Sequence, residues 1–248
     1  MSTWIAYGQT DRGLSRPTNQ DAFLVDNRHR LWAVADGMGG HPGGDVASLL
    51  VIETLAHLAP TLQESMRSGE DPASSLRALV QQAHRAILTH VACHPDLAGM
   101  GTTLVAAHLV MDPAPSLVIA NVGDSRAYMI RKDAIRQLTR DHTLVEDYLR
   151  QGYLTVAQAA SHPQRHVLTR AMGLGQAVAA DLFRCSLEQG DLVVLCTDGL
   201  TKMLTDEEIR TIAFAQAAAP EQMPQALIHA ALDRGGIDNV SVVICVGT

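Results

Sequence analysis

The four cysteines, Cys93, Cys185, Cys196 and Cys245, form no CxxC pair, and Cys196 and Cys245 lie inside apolar runs, where a buried thiol behaves as a small hydrophobe. A disulfide framework is therefore not expected, and a reducing compartment fits. The chain also lacks a basic stripe. Its 19 Lys and Arg are scattered among 26 Asp and Glu, for a net charge of −7 and a pI near 5.8. That argues against a nucleic-acid partner. No apolar run approaches the ~18–20 residues of a membrane span. The opening MSTWIAYGQTDRG has neither the basic start nor the apolar stretch of a leader. A monomeric cytoplasmic protein without membrane insertion is expected. Several catalytic signatures are missing as well. The eleven histidines include no HExxH pair, and no cysteine has an arginine six positions on, as a Cys-x5-Arg phosphate loop needs. Neither GxxxxGK[ST] nor GxGxxG occurs, which removes the usual nucleotide-triphosphate loops. His162 and His166 read as surface residues rather than ligands.

What is present is core material. Apolar residues make up 47% of the 248 and charged residues 18%, enough for a large interior, and residues 1–248 are expected to form a single domain. Short runs rich in Val, Ile and Leu predict strands at Thr3–Gly8, Ala22–Asp26, Leu31–Ala35, Thr102–Val110, Leu117–Val122, Arg126–Ile130, Leu192–Cys196 and Val240–Val246. Helical spacing of apolar positions marks Asp45–Leu58 and Ser74–Val91. Two more helices are expected at Asp206–Ala217, with Thr205 as cap, and at Glu221–Arg234. Met66–Pro72 reads as a loop. Strands flank a helical middle without βαβ alternation, so two antiparallel sheets between helices is the simplest packing. Residues 139–173 turn polar, with short helical pieces at Thr143–Gln151 and Thr155–Ala160, and read as a surface flap.

Four segments share one design, an Asp at the end of an apolar strand: LWAVADGMGG, IANVGDSR, LVVLCTDGL and GIDNVSVVI, the last with the Asp before its strand. Strand ends can converge at one rim of a sandwich, where several carboxylates repel unless cations bind between them. Asp36, Asp124, Asp198 and Asp238 supply only hard oxygen donors, which suit Mg²⁺ or Mn²⁺ rather than zinc. Gly37 lets its carbonyl approach an ion, and Gly39 and Gly40 permit a tight turn. One such Asp alone fits a turn or helix cap; four in this arrangement reverse that reading. Arg16, in SRPTNQDAF, offers a planar fork for two phosphate oxygens, although singly it fits a solvated residue. Asn19 and Asp21 equally fit turn formers.

The blocks RPTNQDA, ADGMGGH, GMGTTLV, NVGDSRAY, DHTLVEDYLRQG, HPQRHVLTRAMG, CTDGL and DNVSVVI follow one another in this order along nearly the whole chain. In them the sequence resembles the compact bacterial form of the protein phosphatase 2C group of metal-dependent protein phosphatases. The resemblance implies an α+β fold, an α-β-β-α sandwich of two antiparallel sheets flanked by pairs of helices, with a two-metal centre at one rim. It implies that Asp36 bridges both ions, that Gly37 offers its carbonyl, and that Asp198 and Asp238 bind one ion. It further implies that Asp21 orients metal-bound water, that Asp124 with Asp198 holds a third, weaker ion, and that Arg16 binds phosphate. Arg16, Asp36 and Asp198 are the expected catalytic set.

The implied activity is hydrolysis of phosphoserine or phosphothreonine by water activated between two Mn²⁺ or Mg²⁺ ions. The implied partners are Ser/Thr-phosphorylated proteins and a cognate bacterial Ser/Thr kinase. Gln20 stands where many members carry Glu, and Met38 where eukaryotic relatives often carry His. His41 or a metal-bound water is then left to protonate the leaving group. Two other readings are a catalytically weak, phosphoprotein-binding regulatory module and a hydrolase of small phosphates.

Overall fold

The computed structural model describes residues 3–38, 43–112 and 114–247. Along the chain come β1 (Trp4–Asp11), β2 (Asp21–Asp26), β3 (Leu31–Asp36), α1 (Gly44–Arg67), α2 (Pro72–Cys93), β4 (Leu104–Val110), β5 (Ser116–Val122), β6 (Arg126–Arg131) and β7 (Ala134–Gln137). Then follow α3 (Leu144–Arg150), α4 (Val156–Ala160), β8 (Asp181–Ser186), β9 (Leu192–Cys196), α5 (Asp198–Thr201), α6 (Asp206–Ala215), α7 (Met223–Asp233) and β10 (Val240–Gly247). The strands form two antiparallel five-stranded sheets, ordered β1-β10-β9-β6-β7 and β2-β3-β4-β5-β8. The expected α-β-β-α sandwich is the architecture found.

The inner strands are mostly apolar, because both faces are covered. On β3, Leu31, Ala33 and Ala35 face α1 and α2, while Trp32 and Val34 enter the space between the sheets. On β10, Val240, Val242 and Ile244 face α6 and α7, while Val243 and Cys245 point between the sheets. Three apolar layers thus separate four layers of backbone.

Two strands escaped the sequence reading. β7 and β8 lie at sheet edges, carry Arg, Gln and Asp, and are only partly buried, so they lack the apolar run that marks their neighbours. α1 runs on to Arg67 rather than Leu58, through Pro60, because Ala59 and Leu62 beyond the expected end remain buried against α2. The loop expected at Met66–Pro72 shrinks accordingly. α1 is also long and apolar enough to cross a membrane, but its apolar side is a core face here. Thr205 caps α6 as expected, in a capping box with Glu208, and α7 follows a 3₁₀ turn at Pro220–Gln222. Gly39, Gly40 and His41 lie outside the described residues.

Antiparallel pairing brings the acidic positions to one rim. β2 and β3 place Asp21 directly opposite Asp36. Cys196, two residues before Asp198, pairs with Val242 on one side and Arg126 on the other, which brings the segments carrying Asp238 and Asp124 alongside Asp198. The loop bearing Arg16 is tied to the same end. Buried Asn239 donates from Nδ2 to the carbonyls of Arg12 (2.7 Å) and Thr18 (2.9 Å), and its Oδ1 accepts from the Gln20 N–H (2.9 Å). Asn239→Ala removes all three bonds and leaves three backbone groups of the loop without their side-chain partner. It is expected to cost about 2–4 kcal/mol in urea unfolding; a loss below about 0.5 kcal/mol would show that the knot is dispensable.

Candidate metal centre

Asp36 ends β3 in a fixed backbone setting. Its N–H donates to Thr103 Oγ1 (3.0 Å), and its carbonyl accepts from the Thr103 N–H (2.9 Å) and Thr102 Oγ1 (2.8 Å). The Thr103 hydroxyl is in turn bonded to Ser125 (2.6 Å), next to Asp124 in the β5–β6 turn. A Cβ on Gly37 would lie 2.1 Å from the Gly44 carbonyl oxygen, and one on Gly199 1.9 Å from that of Asn239. Only glycine lets the segments after Asp36 and Asp198 pass so close to neighbouring backbone.

Asp21 is held at one oxygen only. Its Oδ2 accepts from Thr197 and Ser241, each at 2.8 Å, while its Oδ1 is buried without a hydrogen-bond partner. Asp198 is similar. Its Oδ2 meets Lys202 Nζ at 2.5 Å, and its buried Oδ1 has no partner. Asp238 is the best satisfied, with Arg16 Nε at 2.7 Å, Lys202 Nζ at 2.8 Å and the Asn239 N–H at 3.0 Å.

The electrostatics reflect this crowding. Burial, then the charges of Asp21 and Asp198, raise the Asp36 carboxyl well above the carboxylate range. Burial pushes Asp21 up to about 7 against the two hydroxyl bonds, and burial and Asp198 push Asp124 up to about 7. Asp238 goes the other way. Burial would raise it, but the hydrogen bonds and charges of Arg16 and Lys202 outweigh that and hold it low.

Among the described residues no three acidic, His or Cys side chains close around one point as a finished ion cage. Arg16 and Lys202 already grip Asp198 and Asp238 there. The donor set nevertheless fits hard divalent cations: it is all oxygen, mutually repulsive, and includes two buried carboxylate oxygens with no hydrogen bond.

A cavity of about 720 Å³ opens over this rim. Arg16, Asp36, Gly37, Asp124, Asp198 and Asp238 all line it; Asp21 sits behind, opposite Asp36. Its far wall runs through residues 166–179, including Val167, Leu174 and Val178. His166 is exposed, as expected, and lines this cavity as well. Burial and the charges of Lys202 and Arg165 lower its pKa, which disfavours it as a proton donor near neutrality. Lys202, Asn239, Thr197 and Ser241 were not singled out from the sequence. For Lys202 a signal existed: it stands four residues after Asp198, the spacing that faces two side chains on one helical turn.

Residues 14–232 match the family model described as protein phosphatase 2C. The serine/threonine phosphatase Stp of Listeria innocua is 37% identical over 239 residues, covering 95% of this chain and 93% of the relative. The crystal structure of the Mycobacterium tuberculosis serine/threonine phosphatase PstP/Ppp has a TM-score of 0.87 at 38% identity, over 99% of this chain and 98% of that one. The catalytic domain of PstP in complex with two manganese ions has a TM-score of 0.85 at 35% identity, over 100% of both chains.

The raised carboxylates give a pH test. Their unfolded counterparts titrate near about 4, whereas Asp21 and Asp124 titrate at about 7 when folded. Between those values the folded chain holds the extra protons, so each group costs stability as pH rises, and the cost is complete above about 7. A bound cation favours the charged forms and removes that cost. The rise in Tm that Mn²⁺ gives over chelated protein should therefore grow from about pH 5 to about pH 8; a flat or shrinking gain would contradict it.

Proposed function

The chain belongs to the protein phosphatase 2C family of serine/threonine phosphatases, and from that premise we propose that it dephosphorylates phosphoserine and phosphothreonine in proteins, using two Mn²⁺ or Mg²⁺ ions on the aspartate rim. One observation carries the reading: four aspartates from separate strand ends line one cavity beside Arg16, with a fifth, Asp21, behind them opposite Asp36.

Asp36, the Gly37 carbonyl, Asp198 and Asp238 would hold the two ions. Such a pair supplies an activated water for in-line attack on phosphorus and neutralises the phosphoryl charge. The protein's part is placement. Asp198 Oδ1 and Asp21 Oδ1, buried and unpartnered, are free acceptors, one for an ion and the other for a water beside the ions. Arg16, 43% exposed at the side chain and bound to Asp238, has the reach and the planar fork to turn toward phosphoryl oxygens. Asp124 with Asp198 is the pair that a third, weaker ion would need.

The substrates on this reading are phosphoproteins of a cognate Ser/Thr kinase, met by a monomeric cytoplasmic enzyme. The open cavity walled by the flap suits a polypeptide segment.

With Mn²⁺ the protein should hydrolyse phosphopeptides, and stringent chelation should abolish this; activity that survives chelation would sink the proposal. Asp36→Asn and Asp198→Asn should each lower kcat by about 10³-fold while leaving the circular dichroism unchanged. Arg16→Ala should instead raise KM roughly tenfold to a hundredfold. Tight phosphopeptide binding without turnover would favour a regulatory module. A higher kcat/KM for small phosphate esters would favour a metabolite hydrolase.

A further inference from the structure

Lys202 has no place in the chemistry above, yet it is the most firmly held cation at the rim. It follows the single turn of α5, and its N–H closes that turn on the Asp198 carbonyl at 2.8 Å. The side chain is mostly buried, 22% exposed, and returns over the same turn to place Nζ 2.5 Å from Asp198 Oδ2 and 2.8 Å from Asp238 Oδ2. Its charge also favours the Asp124 carboxylate across the rim. A buried ammonium is costly unless anions surround it; here two touch it and a third feels its field.

The oxygen inventory shows what this leaves for metal ions. Asp198 has two carboxylate oxygens. Oδ1 is buried and unpartnered, free for an ion. Oδ2 is taken by the ammonium. An additional ion shared by Asp124 and Asp198 would require that second oxygen, and would bring a divalent charge against a fixed positive one. At about 4 Å, even in a water-like dielectric, the repulsion between a monovalent and a divalent cation weakens the ion's binding roughly thirtyfold, and by more in a protein environment.

Building on the two-ion reading above, we propose that Lys202 is a tethered cation that takes the place of an additional ion on the Asp124–Asp198 side, so that the centre closes at two divalent ions. The lysine is a positioning residue: it neutralises Asp198 and Asp238 before metal arrives and fixes which Asp198 oxygen remains available.

Metal content separates this role from a merely structural one. Native mass spectrometry and calorimetric titration with Mn²⁺ should count two ions on the wild-type protein at saturation. Lys202→Gln should gain a third, weaker Mn²⁺, and the double variant Lys202→Gln/Asp124→Asn should return to two. The metal-free Tm of Lys202→Gln should also fall by several degrees, because two carboxylates lose their shared counter-charge. Lys202→Arg, which keeps the charge, should stay at two ions. A wild-type protein that binds three Mn²⁺ would overturn the inference without any variant, as would Lys202→Gln remaining at two. If three ions accompany normal phosphopeptide hydrolysis, only this inference fails; if Mn²⁺ neither binds nor supports hydrolysis, the proposed function fails with it.

Discussion

Repulsion among carboxylates gathered at one end of the sandwich is the constraint on which the rest of the molecule turns. Asp21, Asp36, Asp124, Asp198 and Asp238 come from distant parts of the sequence, and no local preference would place them together. Sheet pairing and three buried apolar layers hold them against their mutual field. The cost shows in Asp36, Asp21 and Asp124, whose carboxyls retain protons far above their ordinary range, and in buried oxygens left without a hydrogen bond. An arrangement of carboxylates so mutually repulsive gains most from charge supplied by a ligand, which is how a binding site differs from a stable core.

The rim divides into a satisfied and an unsatisfied half. Asp238 and one side of Asp198 are met by Arg16 and Lys202. Asp36 is supported through its backbone, Asp21 through two hydroxyls and Asp124 through a backbone N–H, and among the described residues none of the three has an ion-pair partner. The carboxylates without a resident counter-charge therefore lie on the Asp36 side. Arg16, whose contact with Asp238 is partly exposed, is the more readily released of the two resident cations, and Lys202, buried on its short turn, the less so.

Much of this was legible in the sequence because the site is written at strand ends. An apolar run ending in Asp-Gly is a local signal, and Asp36 and Asp198 carry it; Asp238 and Asp124 vary it. The inner strands were legible for the same reason: burial on both faces makes them continuous apolar runs. β7 and β8 were not, because edge strands keep polar side chains on their open faces. α1 runs past Pro60, a position where a helix interior normally ends, because tertiary packing of Ala59 and Leu62 carries it on. Asn239, and Lys202 in its contact with Asp238, act through partners far away in sequence, and such pairings become visible only when the strands are laid side by side.

The first strand pairs with the last along its whole length, Trp4 against Gly247 through to Asp11 against Val240. A chain still emerging from the ribosome can form the β2–β5 hairpins and pack α1 and α2 on them, but the first sheet must wait for β10, whose place lies between β1 and β9. Asp238 and Asn239 come with that strand, so the loop carrying Arg16 has nothing to fasten to until then. During synthesis the rim is thus incomplete until this fold's last strand has been made. The growing chain holds an acidic half-site beside an unfilled sheet, and competence for chemistry arrives in one closing step rather than by degrees.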